Sequence, residues 1–144
     1  MKKLRALIPH AAVLIANMYY VFYGIDRVNK SMNFIDNGIT KWLLAIMCCL
    51  DAAVLVRFLK LRRRKRRLNL RRAANFAAEG LMAIFACIYL VIFVFDLIAG
   101  ETMIMKNESA KAIALVLCLF TTINGVRLIA AQRKLALRRR KKRR

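Results

Sequence analysis

Between Arg57 and Arg72 the chain reads RFLKLRRRKRRLNLRR, ten cations without one acid. Long apolar blocks flank this stretch on both sides. A soluble core of that apolar content is normally sheltered by charges of mixed sign. Here 60% of 144 residues are hydrophobic, while the net charge is +21. The two values are compatible if the apolar blocks face lipid and the cations lie outside it. A bilayer span takes about 20 mostly apolar residues. Four such blocks fit, and they leave no length for a separate soluble domain within these residues.

Taken in order, the expected spans are Ala6–Ile25, Lys41–Leu59, Leu81–Ile98 and Ala110–Ala131. The first follows Lys2, Lys3 and Arg5 but lacks a small-residue cleavage pattern, so it reads as a retained helix rather than a signal peptide. Pro9 falls in its first turns, where a missing N–H is tolerated. Asp26 to Thr40 reads as a loop with a turn at Asn37-Gly38. Trp42 marks the start of the second span. The leucines of the central basic stretch, Leu61, Leu68 and Leu70, suggest a helical segment lying along the membrane. Gly100 to Ser109 is the other loop; its Asn107-Glu108-Ser109 sequon lies too near the membrane to read as a glycosylation site. The segment from Gln132 ends in seven consecutive cations, Arg138 to Arg144. A like-charge run of that kind is expected to be disordered.

Outside the spans, one side of the membrane receives twenty-three Lys and Arg and the other receives five: Arg27, Lys30, Lys41, Lys106 and Lys111. Cytosolic segments carry the excess of cations. Both termini and the central stretch are therefore expected in the cytosol, as for a protein of a bacterial plasma membrane.

The chain also resembles itself. At an offset of seventy, ten identities align without gaps: Ala16/Ala86, Tyr19/Tyr89, Val21/Val91, Asp26/Asp96, Asn37/Asn107, Lys41/Lys111, Cys48/Cys118, Val56/Val126, Arg57/Arg127 and Arg63/Arg133. After an insertion, Leu61-Arg62-Arg63-Arg64-Lys65 recurs as Leu137-Arg138-Arg139-Arg140-Lys141. Any two membrane hairpins share some border residues. An Asp, an Asn, a Lys and an Arg at matching helix borders go further. The expected architecture is an all-α membrane protein, a four-transmembrane-helix bundle of two tandem hairpins, residues 1–72 and 73–144. Each hairpin starts and ends in the cytosol, so an axis along the membrane normal would relate them. Small residues four apart, Ala12/Ala16, Cys48/Ala52 and Thr121/Gly125, would let backbones approach.

Chemistry-bearing residues are few. Asp51 lies near the middle of the second span, where a charge costs about 2.5–3.5 kcal/mol on insertion scales. It should face the bundle interior and find a partner or lose its charge. Neutral candidates at similar depth are Asn17, Thr121, Thr122 and Asn124. With them Asp51 forms a candidate ion or proton site, and otherwise an interhelical hydrogen bond. Arg57, six residues on, falls on a different helix face. Asp26 and Asp96 border their helices, and Glu79 suits a helix N-terminus. Cys48, Cys49, Cys87 and Cys118 read as small apolar side chains, with 48 and 49 on different faces. Together with a lone His10, they supply no metal ligand set. No cofactor, catalytic set or specific small molecule is indicated, and the chain reads as a non-enzyme.

The strongest functional signal is the basic face, with Arg62, Arg63, Arg64, Lys65, Arg66, Arg67, Arg138, Arg139, Arg140 and Lys141 as candidate binding residues. Juxtamembrane cations attract anionic headgroups at about 1 kcal/mol each. An acidic protein or RNA is another expected partner, though without interleaved aromatics an RNA would be held unspecifically. The expected function is a membrane scaffold or interaction module. The rival is a small transporter or channel subunit using Asp51, expected to work as a homodimer. Reporter fusions at Arg144 and within residues 31–37 test the topology. The former should report the cytosol and the latter the opposite side; an external Arg144 overturns it.

Overall fold

The computed structural model describes residues 2–29, 38–62, 70–99 and 108–141, which form four helices: α1 Lys2–Val28, α2 Gly38–Arg62, α3 Leu70–Ala99 and α4 Glu108–Lys141. Each helix is long and apolar enough to cross a membrane. Lipid offers backbone groups no hydrogen-bonding partner, so a spanning segment must satisfy them internally, and the helix does so. Every expected span lies inside one helix. Asn37, Asn107, Leu68 and Arg63 to Arg67 lie outside the described residues.

The helices are longer than the spans, and this corrects three expectations. The third helix already begins at Leu70, so Glu79 is well inside it rather than at its N-terminus. At the first loop, α1 runs on through Val28 and α2 starts at Gly38, so only the middle of the expected loop lies between them. The basic segment after Gln132, expected to be disordered, is helical through Lys141. Extending a formed helix adds one hydrogen bond per residue fixed, without the cost of nucleation. Leu135, Ala136, Leu137 and the Arg and Lys residues that follow are good helix formers. Cations in a last turn also sit favourably against the negative end of the helix dipole.

The helices form a ring in chain order, each beside the next and α4 beside α1, while α2 and α4 also touch across the diagonal. Neighbour relations are unchanged when α1 exchanges with α3 and α2 with α4. Burial repeats with the same offset as the sequence identities. Of the eleven buried residues described in the first half, ten have a buried counterpart seventy positions on. On α1 these are Pro9, Ala12, Ala16 and Tyr19, matched on α3 by Glu79, Met82, Ala86 and Tyr89. The spacing of three and four puts each set on one helix face. Sizes are complementary in places: Ala12 pairs with Met82 and Leu44 with Ala114, so a gap in one half answers bulk in the other.

Lipid tails are as apolar as leucine, so close packing and polar contacts must hold such helices together. One close approach falls between α1 and α4. A Cβ built on Gly125 would run into Val13 Cγ2 and come within 3.4 Å of the Pro9 carbonyl oxygen. Gly125 thus acts as the small residue that the Thr121/Gly125 spacing suggested. Its counterpart in the first half is Leu55. Gly125→Ala should lower stability by about 1–3 kcal/mol through overpacking. Val13→Ala on that background should recover most of the loss, measured by thermal unfolding in detergent. No recovery would place the strain elsewhere.

Candidate functional site

The polar residues at mid-depth separate into distinct settings. Asp51 on α2 is fully buried, and its Oδ2 accepts the Thr121 hydroxyl hydrogen at 2.7 Å. Thr121 is the residue seventy positions after Asp51. Each side chain of this contact thus meets the residue seventy positions away from it. An acid at both positions would set two carboxylates against each other. Asp on one side and Thr on the other instead give an acceptor and a donor. Beside them, Cys118 Sγ lies 4.0 Å from Met47 Sδ, a weak thiol-to-thioether contact.

The other expected members do not join Asp51. Asn124 donates from Nδ2 to the Ala78 carbonyl of α3 at 3.1 Å and lies 3.6 Å from Met82 Sδ. Its Oδ1 receives a long 3.5 Å contact from Arg127 Nη1. Asn17 points away from the bundle and donates to the carbonyl of Val13, one turn back on its own helix, at 2.7 Å. Thr122 Oγ1 is buried without a hydrogen-bond partner among the described residues, and so is Asp51 Oδ1. The site is thus Asp51 with Thr121, not a five-residue constellation. Cys48 and Cys118 are buried, whereas Cys49 and Cys87 face outward; all four are free thiols. Among the described residues no three of the His, Cys, Asp and Glu side chains converge on one point.

A second polar cluster went unread in the sequence. Lys41 Nζ at the start of α2 lies 3.0 Å from Asp96 Oδ2 near the end of α3, and both side chains are largely buried. The same ammonium lies over the Phe93 ring at 5.6 Å, and Tyr89 donates its hydroxyl hydrogen to the Lys41 carbonyl at 3.2 Å. Trp42 meets Phe93 edge to face. The signal was present in the repeat, since Asp26/Asp96 and Lys41/Lys111 are two of its identities. On the α1–α4 side, Arg27 pairs with Glu108 at 3.1 Å, but in an exposed setting.

At the opposite end the cations gather. Arg57 is half-buried, and its Nη1 is buried without a hydrogen-bond partner among the described residues. Its repeat counterpart is Arg127. Lys60, Arg133 and Lys134 are exposed on the same end. Of the candidate binding residues, Arg62 ends α2, and Arg138, Arg139, Arg140 and Lys141 lie on the last turn of α4. Compared with protein-family models, with curated proteins and with solved structures, the chain finds no match.

The axial contact sets an order of mutational effects. Asp51→Asn retains hydrogen bonding and should be nearly neutral. Asp51→Leu should cost about 0.6 kcal/mol and at most about 1.7 kcal/mol, the range of interhelical hydrogen bonds. Thr121→Val should cost more, about 1–3 kcal/mol, because it strands a buried carboxyl group. Thermal unfolding of the three variants checks the order. No loss in either Asp51→Leu or Thr121→Val would show that the contact contributes nothing.

Proposed function

We propose that the protein is a non-catalytic, membrane-embedded interaction module whose basic end faces the cytosol and binds anionic partners at two depths. The observation that carries this reading is the length of α4, 34 residues without a break. Residues 112–131 suffice to cross about 30 Å of hydrocarbon at about 1.5 Å per residue. Arg133 and Lys134 then lie within the headgroup layer, which is roughly 5–7 Å thick on each side. Arg138 to Lys141 follow about 10–15 Å beyond the hydrocarbon edge. The nearer cations, with Arg57 and Lys60, suit anionic headgroups. The farther ones stand beyond the headgroups, in reach of an acidic protein or RNA.

Nanodiscs of anionic and zwitterionic lipid, probed with poly-glutamate and single-stranded RNA, test both levels. Termination after Leu137 should leave the preference for anionic lipid and weaken polyanion binding, with the remainder carried by Arg62 to Arg67. For RNA, four phosphate contacts imply a loss of about fiftyfold between 50 and 200 mM salt. Indifference to lipid charge, to salt and to the truncation would reject the proposal.

A second reading rests on Asp51, whose Oδ1 is buried without a partner among the described residues. A buried carboxyl group at mid-depth suits a proton or cation path, which four helices alone can barely surround. In that reading, proteoliposomes show flux that Asp51→Asn abolishes. Flux that survives Asp51→Asn rejects Asp51 as the site, and absence of flux for common ions leaves the interaction module.

A further inference from the structure

We infer that α1 is a dimerisation helix, and that its partner is the α1 of a second copy of this chain, crossing at Asn17. Leu7, His10, Leu14, Asn17, Val21, Gly24 and Val28 recur at alternating steps of three and four, and all are exposed. That is the spacing of a seam between two helices that cross at a shallow angle. Beside the seam, α1 and Ile129 of α4 enclose an open apolar groove of about 600 Å³, with His10 and Asn17 as its polar members.

Asn17 is the midpoint of the apolar segment Ala6–Val28, with eleven residues on either side. That places its amide roughly 16 Å from each membrane surface, out of reach of headgroups. One amide hydrogen bonds to the Val13 carbonyl. The carbonyl oxygen and the second N–H have no partner among the described residues. A lipid tail can satisfy neither group, and an unsatisfied polar group in hydrocarbon costs several kcal/mol. An amide is its own complement, a donor and an acceptor on one planar group. In a two-fold dimer with its axis along the membrane normal, both α1 helices run parallel, so Asn17 faces the other copy's Asn17. A single Asn in an otherwise apolar seam also fixes register.

The second half of the chain provides the contrast. The corresponding residues of α3 are Ala77, Gly80, Ile84, Cys87, Val91, Val94 and Ile98. None carries an amide or an imidazole. Lipid suits that stripe, so the two halves share a burial pattern but differ in what their outer faces require.

Energy transfer between two labelled populations of the protein, diluted progressively with lipid in liposomes, reads the dimer. Asn17→Leu should weaken association by about threefold to twentyfold, the range of one interhelical hydrogen bond. Asn17→Gln should keep most of it. Asn17 is outside the core, so Asn17→Leu should leave thermal unfolding of the monomer unchanged. Cross-linking then identifies the face, with Cys49 and Cys87 replaced by alanine to silence the exposed thiols. Leu14→Cys and Val21→Cys should form intermolecular disulfides, and Ile84→Cys on α3 should not. Three results would overturn the proposal: monomers at the highest protein density, association unaffected by Asn17→Leu, or cross-linking that favours Ile84→Cys. Association with another protein in place of a second copy would overturn it as well.

Discussion

Helices in lipid gain little by hiding apolar surface from one another, so this bundle depends on where its backbones meet closely and on a few buried polar contacts. The Asp51–Thr121 hydrogen bond is central among these. It joins the diagonal pair α2 and α4 at the point where the two halves meet. Each residue of this contact meets the one seventy positions away, so two identical acids there would repel. The chain has unlike residues at this position. The same departure from symmetry appears in packing, where Ala12 opposes Met82 in the repeat and Gly125 stands in for Leu55. The two halves share a plan of burial and divide the volumes between them.

The ends of the helices near Asp96 and Glu108 are held differently on the two sides. Lys41–Asp96 is buried and framed by Tyr89, Phe93 and Trp42. Removing one partner of such a pair leaves an uncompensated charge, at a cost of about 3–5 kcal/mol. Arg27–Glu108 has both side chains more than half exposed, and a pair of that kind contributes about 0–1 kcal/mol. The α2–α3 corner is thus fixed by charge. The α1–α4 corner relies on close packing at Gly125 and on the Tyr20 hydroxyl, which donates to the Leu115 carbonyl at 2.8 Å.

The spans were legible because hydropathy alone decides them. The inward direction of Asp51 followed from the cost of exposing an acid to lipid, and Thr121 was one of four neutral partners read at similar depth. Asn17 was not legible in the same way. An amide carries no charge, so the penalty that turns Asp51 inward does not fix its direction, and a helix apolar on every side does not show which face turns inward. The Lys41–Asp96 pair was hidden because hydropathy reads Lys41 as a border residue, whereas its aliphatic stem lets it reach back over Phe93. The helical course of the last basic turns was missed because a rule about like charges was applied to a segment joined to a long preformed helix. That segment inherits its conformation.

The unbroken course of α4 has a mechanical side. A bilayer that thins or thickens changes the tilt of any helix longer than its hydrocarbon width. Because α4 is one uninterrupted helix from Glu108 to Lys141, tilt within the membrane is carried outward along it. A rotation of about 10° would sweep the last turn sideways by roughly 3 Å over a 15 Å arm. The backbone of the last turn would thus move sideways outside the bilayer whenever the helix tilts within it.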